Sequence, residues 1–285
     1  MIGIVYNPHS KKGGSIDRMA ELRAVLDEKG IDYDYRESSY AGEALILSKE
    51  LADTCEIVVA AGGDGTVYEV INGSVGSDVT YAIFPLGSGN DIARSIGVND
   101  KSFEELADIL INPKIRDFDI AKVNDDRYMA QFTSFGLISN IVERYSKKKS
   151  AGDYYGAVIS AIFKHRARWY TVTIDGVEER FRADFISVQN IRTAGSGMIL
   201  CADAKDDDGV LDLIVVRRTG LINMFRNLFA LMGGNIEGQK NVVHRRVTSV
   251  TIRPESPQVC CIDGELFTTD EVSIRYEGRK IRFAH

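Results

Sequence analysis

The chain has 285 residues and a formal net charge of −6, with 44% apolar and 27% charged residues. That length suits one large or two ordinary domains, and that balance belongs to globular rather than disordered or fibrous chains. The acidic balance argues against general nucleic-acid binding, and no apolar run reaches the roughly 18–20 residues that cross a bilayer, so no spanning helix is expected.

In chain order, the first 115 or so residues alternate between strand and helix patterns. Ile2–Tyr6 is a short apolar run and predicts a strand, followed by the loop Asn7-Pro8-His9-Ser10-Lys11-Lys12-Gly13-Gly14. The spacing of Met19, Leu22, Val25 and Leu26 predicts an amphipathic helix over 16–29, with Gly30 as its stop. A short strand is expected over 31–36 and a helix over 41–52. Ile57–Ala61 and Val79–Phe84 read as buried strands. Ser102 should cap a helix over 103–110, which Pro113 stops. Such a βαβ pattern predicts a mainly parallel sheet.

Two of these strands end in glycine-rich turns that open helices. The first is Ala61-Gly62-Gly63-Asp64-Gly65-Thr66, the second Pro85-Leu86-Gly87-Ser88-Gly89-Asn90-Asp91. Glycines let backbone approach a ligand closely, and a helix start presents N–H groups and positive dipole, so such turns favour a phosphate. Asp64 would repel a phosphate unless a cation lay between them, which suggests a nucleotide handled with Mg²⁺. Each turn alone also fits an ordinary strand–helix connection, with Asn90 or Asp91 as a helix cap. Two of them at the carboxyl ends of strands match the place where α/β sheets bind ligands.

Beyond about residue 115 the texture becomes β-rich. Strands are expected over 115–123, 127–135, 169–174, 181–188, 210–216, 247–252 and 272–276, with Glu277-Gly278 as a hairpin turn into 280–283. Two helices interrupt them, 154–165 and 221–232. The second carries Ile222, Phe225, Leu228, Phe229 and Met232, a face expected to pack on a core. Cys55, Cys201, Cys260 and Cys261 show no CxxC spacing, so no zinc site is expected. Cys55 and Cys260 read as small buried apolar residues in a reducing compartment. The opening MIGIVYNP lacks the marks of a signal peptide, and the expected location is cytoplasmic. Basic clusters lie in the second half: Lys147–Lys149, Lys164 with Arg166 and Arg168, Arg217-Arg218 and Arg245-Arg246. A solvated surface is their ordinary reading, and anionic lipid is the alternative.

The ordered blocks GGDGT and PLGSGNDIAR, with the first loop, Asp207-Asp208-Gly209 and Asp263-Gly264-Glu265, resemble the diacylglycerol kinase catalytic-domain family. That family includes soluble bacterial lipid kinases and the sphingosine and ceramide kinases. The resemblance implies an α/β N-terminal domain, Rossmann-like and similar to NAD kinase and phosphofructokinase, plus a C-terminal antiparallel β-sandwich domain. Residues 1–118 would be the ATP-binding domain and 119–274 the lipid-acceptor domain, with 275–285 returning to the first and the active site in the cleft between. ATP would be held through Asn7, Pro8, Ser10, Lys11, Gly63, Asp64, Gly65, Thr66 and Ser88, with Glu69 as a further contact. Asp64 and Asp91 would hold the catalytic Mg²⁺, and Glu265 would act as general base. A structural Mg²⁺ would take the Asp208 side chain and the carbonyls of Lys205 and Val210.

The sequence departs from the family pattern at three places. Tyr68 stands where an asparagine is usual and would stack on or crowd the nucleotide. The first loop carries an extra lysine, leaving Lys11 and Lys12 as alternatives for the phosphate. Thr193-Ala194-Gly195-Ser196-Gly197-Met198 replaces a more glycine-rich stretch that would face the acceptor. The expected partners are a lipid substrate at the membrane surface, where the protein would act peripherally, and a second copy as a homodimer. The alternatives are an NAD kinase-like enzyme and a non-catalytic nucleotide or lipid sensor.

Overall fold

The computed structural model describes residues 1–10, 15–148 and 153–285. The chain divides into two compact units. The first comprises Met1–Asp119, Gly195–Gly197 and Arg279–His285; the second comprises Ile120–Ala194 and Met198–Gly278.

In the first unit, strands β1 (Ile2–Tyr6), β2 (Tyr33–Glu37), β3 (Ile57–Gly62), β4 (Thr80–Pro85) and β5 (Ile115–Asp119) alternate with helices. The helices are α1 (Ile16–Glu28), α2 (Glu43–Ala52), α3 (Asp64–Ser74), α4 (Asp91–Ser95) and α5 (Phe103–Ile111). The strand order is β2-β1-β3-β4, then the C-terminal strand Lys280–Ala284, then β5. All pairs are parallel except the last. Val58, Val59, Ala60 and Ala61 of β3 are buried, as are Tyr81 to Phe84 of β4. Burial of both strand faces explains why these runs are apolar without alternation. The C-terminal strand is held by Phe283, whose ring meets Phe118 edge-on at 5.2 Å. Ser102 closes a full capping box with Glu105 on α5. Because β1 pairs with β2 on one side and β3 on the other, the order of connection reverses between β1 and β3. In an open α/β sheet that switch point opens the ligand crevice at the carboxyl ends of the strands.

The second unit is an antiparallel β-sandwich. Its elements in order are β6 (Ala121–Val123), β7 (Arg127–Met129), β8 (Phe132–Gly136), α6 (Leu137–Lys148), α7 (Asp153–Lys164), β9 (Arg168–Ile174), β10 (Val177–Gln189), β11 (Thr193–Ala194), β12 (Met198–Ile199), β13 (Leu211–Arg217), α8 (Leu221–Met232), β14 (Val242–Val247), β15 (Ser249–Pro254), β16 (Gln258–Ile262), β17 (Glu265–Thr269) and β18 (Val272–Arg275). The long β10 pairs with β9 through its first half and β8 through its second, and the register shifts between Ala183 and Phe185. Phe132, Phe185, Leu200, Ile214 and Val216 join Leu231 and Ile236 in one core cluster of this unit.

Several expectations change on contact with the fold. The run 115–123 is two strands in different sheets, because β5 pairs with the C-terminal strand and β6 with β18. The run 127–135 breaks at Ala130 and Gln131, whose amides turn to the Asp263 carboxylate instead of a strand partner. The run 247–252 belongs to β15 alone beyond Thr248, whose amide donates to Asp175. The C-terminal strand makes no hairpin with β18; it pairs with β4 and β5 in the first unit. Helix α6 was not expected, although Leu137, Ile138, Ile141 and Val142 carry helical spacing, because the run merges with the apolar strand before it. Helix α8 forms over the expected residues, but Ile222 and Phe229 face solvent; Met224, Ala230 and Leu231 are its buried apolar residues among those described. The Met232 side chain and those of Lys147–Lys149 lie outside the described residues.

Candidate functional site

The loops after β1, β3 and β4 stand side by side, because those strands are neighbours. After β1, the Asn7 amide donates to Ala61 O at 3.0 Å, and Asn7 Nδ2 donates to Thr66 Oγ1 at 3.2 Å. Asn7 Oδ1 accepts from the His9 amide at 3.0 Å, which closes the turn. Pro8 O accepts from Ser15 Oγ at 3.2 Å, and the Ser10 amide returns to Asn7 O. Ser10 is buried. Lys11 and Lys12 lie outside the described residues.

The turns after β3 and β4 cross at their glycines. A Cβ on Gly87 would lie 2.3 Å from Gly63 Cα, and one on Gly62 would lie 2.3 Å from Thr66 Oγ1. No side chain fits either place: at Gly87 and Gly63 the two backbones meet directly, and at Gly62 the backbone packs on the Thr66 side chain. Asn90, with φ +55°, staples the second turn: its Oδ1 accepts from the Gly87 amide and its Nδ2 donates to Gly87 O. Asparagine tolerates this left-handed conformation better than most residues.

Asp64 opens α3 and Asp91 opens α4, and the crossing brings them together. Asp64 Oδ1 accepts from the Asp91 amide at 2.7 Å. The site is largely withdrawn from water. Burial, and after it the charge of Asp91, push the Asp64 carboxyl up to about 6 against the opposing pull of the Asp91, Ile92 and Asn90 amides. Asp64 Oδ2 faces the place a side chain at 89 would occupy, since a Cβ on Gly89 would lie 2.4 Å from it. Asp91 is engaged differently. It is only 1% exposed, and its Oδ1 accepts from Arg94 Nη1 at 3.0 Å and the Gly197 amide at 2.7 Å. Its Oδ2 accepts from the Ser196 amide at 2.9 Å. The tip Gly195-Ser196-Gly197, all three at positive φ, is therefore tied to α4.

The other expected contacts of the first unit separate. Gly65 and Thr66 lie in the first turn of α3, and Thr66 is buried beside Asn7. Ser88 is exposed at the tip of its turn. Glu69 instead serves α2: its two carboxylate oxygens accept from the Gly42 and Ala44 amides at 3.0 and 3.1 Å. That is the position of an acidic cap on a helix start. Tyr68 is buried in α3. The stretch Thr193–Met198 was expected to face the acceptor; its tip is instead tied to Asp91, and neither that tie nor the role of Arg94 was read from the sequence.

In the second unit, Asp263 and Gly264 form the two-residue turn between β16 and β17, with φ +49° and +95°. Two positive φ values mark a type I′ hairpin, for which Asp-Gly is a preferred pair. The Asp263 carboxylate is buried and accepts three backbone N–H groups, from Ala130 (2.6 Å), Gln131 (2.9 Å) and Phe132 (2.8 Å). Glu265 is the first residue of β17 and is exposed. Asp263 thus anchors the turn that presents Glu265. Around the third acidic motif, Asp208 forms an ion pair with Arg246 and its Oδ1 accepts weakly from the Val210 amide at 3.4 Å. Lys205 is exposed, and Gly209 holds φ +78°.

Among the described residues, Cys201, Asp212 and His244 also converge. His244 Nε2 lies 2.6 Å from Asp212 Oδ1, an interaction that raises the imidazole above its ordinary value. That hydrogen bond accounts for the cluster, and burial pushes the Cys201 thiol up, away from reactivity. All four cysteines are free and buried. No helix among the described residues is long and apolar enough to cross a membrane.

Comparison with known proteins adds the relatives. Residues 1–123 match the diacylglycerol kinase catalytic domain, and residues 136–284 match the YegS C-terminal NAD kinase beta sandwich-like domain. A protein of Klebsiella pneumoniae (strain 342), named a probable lipid kinase YegS-like protein, is 30% identical over 89% of this chain and 86% of its own length. A diacylglycerol kinase of Bacillus subtilis (strain 168) is 27% identical over 92% of this chain and 88% of its own. Among solved structures, a diacylglycerol kinase of Bacillus anthracis str. Sterne aligns with a TM-score of 0.72, 20% identity, and coverage of 100% of this chain and 96% of that one. At that identity the likeness shows the fold.

Proposed function

The chain belongs to the diacylglycerol kinase catalytic-domain family, and on that premise we propose that it is an ATP- and Mg²⁺-dependent lipid kinase. It transfers the γ-phosphate to the hydroxyl of diacylglycerol or a related lipid. The observation that carries the reading is the crossing of two glycine turns beside an acidic pair, half-buried Asp64 and buried Asp91, at the switch point of the sheet.

The residues present fit a divalent cation. An aspartate held up to about 6 by burial and by a second carboxylate would regain its charge beside a cation. Asp64 Oδ2, facing a space that only glycine at 89 leaves clear, is the oxygen placed to hold it. When bound, Mg²⁺ would neutralise phosphate charge. Asp91, whose oxygens accept from Arg94 and the Ser196 and Gly197 amides, keeps the second turn in place and contributes charge rather than an open ligand position.

The chain's own groups do the rest. The Gly63–Thr66 turn at the start of α3 binds phosphate oxygens through its backbone N–H groups, with Ser88 and the first loop (Asn7, Pro8 and Ser10) beside it; the Asn7 and Ser10 amides are spent on holding that loop in shape. Lys11 is assigned to the phosphates as well. Glu69 is assigned to α2 and not to the nucleotide. Glu265, presented by the Asp263-Gly264 turn, accepts the proton of the acceptor hydroxyl. The transition state is loose, so orientation and charge neutralisation carry more of the rate than this base. A structural cation at Asp208, with the Lys205 and Val210 carbonyls, would compete with Arg246 for that carboxylate.

The test is transfer of labelled γ-phosphate from ATP-Mg²⁺ to diacylglycerol in mixed micelles. Sphingosine, ceramide, monoacylglycerol and NAD would be run in parallel. A labelled lipid that disappears in Asp64→Ala, with turnover lowered about 10²-fold or more in Glu265→Gln, supports the reading. Label on NAD alone moves the protein to NAD kinase-like chemistry. ATP binding with no labelled product in any arm supports the sensor.

A further inference from the structure

We infer that the α7–α8 helix pair is an interfacial docking element that seats the second unit on a membrane surface carrying anionic lipid. The inference rests on the lipid-kinase reading and names the surface that would meet the substrate's bilayer.

The apolar side of the argument is geometric. Ile222 and Phe229, 86% and 69% exposed, are seven residues apart on α8 and so share one face. Phe225 lies between them on that face, and its ring meets the ring of Phe163 on α7 at 6.1 Å. Phe163 is itself 64% exposed. Half-buried Phe225, which also packs on Val158, Ile162 and Met224, thus joins the exposed apolar positions of α8 to exposed Phe163 of α7. The helix is held from its other side: Met224 packs on Val158 and Ile162, while Ala230 and Leu231 enter the core cluster around Phe132, Phe185 and Ile214. An apolar face of this kind on a folded unit marks a contact surface, whereas single exposed apolar residues do not.

Charge selects the occupant. Lys164 ends α7, Arg166 and Arg168 follow it, Arg217 and Arg218 precede α8, and Arg226 lies on α8; all six are exposed. Residues 163–169 and 217–232 contain no aspartate or glutamate, in a chain whose net charge is −6. The sheet gathers these cations, because Arg168 of β9 and Arg217 of β13 both pair opposite Ala183 of β10. The neighbouring acid is Asp184, at the register shift of β10. It is buried, accepts from the Thr219 amide and hydroxyl at 2.9 and 3.0 Å, and lies 3.4 Å from His165 Nε2. It ties down the end of α7 and the start of α8 and offers no charge to the surface. Aromatic and branched apolar side chains ringed by lysine and arginine match the chemistry of an anionic lipid interface. Two copies meeting through this face would bring cation onto cation.

The test is cosedimentation of the full chain with vesicles of phosphatidylcholine alone and with 30 mol% phosphatidylglycerol, without ATP. The parent should bind the anionic vesicles, and Ile222→Asp/Phe229→Asp should weaken that binding at least ~10-fold. Arg217→Ala/Arg218→Ala should weaken it about fivefold per charge and only at low salt. The milder Phe229→Ser guards against misfolding, and turnover on a short-chain, micelle-dispersed acceptor should stay at the parent's level in every variant. Equal vesicle binding by parent and variants overturns the inference. So does a change from dimer to monomer in light scattering with vesicle binding unchanged, which would make the face an interface between copies. Absence of turnover in the parent itself counts against the kinase reading alone, because the vesicle measurement needs no chemistry.

Discussion

Removing the Asp263 carboxylate isolates the contribution of one buried side chain. In Asp263→Ala the amides of Ala130, Gln131 and Phe132 lose their acceptor at once, and all three residues are buried. A buried donor left unsatisfied costs about 1–3 kcal/mol, so with some relief from entering water the change should cost about 3–5 kcal/mol. Asp263→Asn keeps one oxygen for Gln131 and Phe132 but turns an NH₂ group toward the Ala130 amide, so it should lose about 1–3 kcal/mol. Trp169, the only tryptophan, lies on β9 of the same unit and reports its unfolding in urea by fluorescence. A further consequence is functional: with the turn loosened, Glu265 loses its fixed position, so turnover should fall more than ATP affinity. A loss below about 1 kcal/mol in Asp263→Ala would refute the reasoning, because three buried amides cannot lose a carboxylate that cheaply.

The remaining predictions concern the first unit and one histidine. Gly87→Ala places a Cβ 2.3 Å from Gly63 Cα, whereas Gly63→Ala meets its nearest neighbour at 3.2 Å. Calorimetric titration with ATP should therefore show the first variant losing nucleotide binding far more than the second. Asp64 is raised from 3.8 to about 6, so the folded state holds its proton more tightly than the unfolded chain. The penalty is absent below pH 4 or so and complete above about 6, worth about 3 kcal/mol at most. Without Mg²⁺ and nucleotide, stability followed by near-ultraviolet dichroism should fall across that window, and Asp64→Asn should abolish the fall; the same slope in both proteins would contradict it. His244 is raised by its hydrogen bond to Asp212, so its stabilising effect is complete below about pH 6.5 and is lost as pH rises through the folded value. Proton NMR should show its titration moving down in Asp212→Asn.

The features legible in the sequence were those decided within a few residues. Buried runs such as 57–61 and 79–84 announce central parallel strands because both faces are apolar. Ser102 and Glu105 announce a helix start because their hydrogen bonds reach only three residues. Asp263-Gly264 announces a hairpin because its backbone conformation is local. The pairing of Asp64 with Asp91 was implied by the family resemblance of the two turns. What depended on distant partners was silent. Nothing near Asp91 shows that its oxygens accept amides more than 100 residues away, and nothing near Asp263 points to Ala130, Gln131 and Phe132. Glu69 looked available for a nucleotide until α2 supplied two amides. That 275–285 returns to the first unit was implied by the family resemblance alone; the strand 280–284 carries the same alternation whether it turns back on β18 or crosses to β4 and β5, since a strand pattern records which faces are apolar and not which strand pairs with it. For α8 likewise, spacing shows that one face is apolar, but only packing shows that Met224 and Leu231 are covered while Ile222 and Phe229 are left to solvent. Local backbone preference is written in neighbouring residues; the partner of a carboxylate, an edge or a helix face is chosen by the tertiary fold, because hydrogen bonding and burial act on whatever the fold brings near.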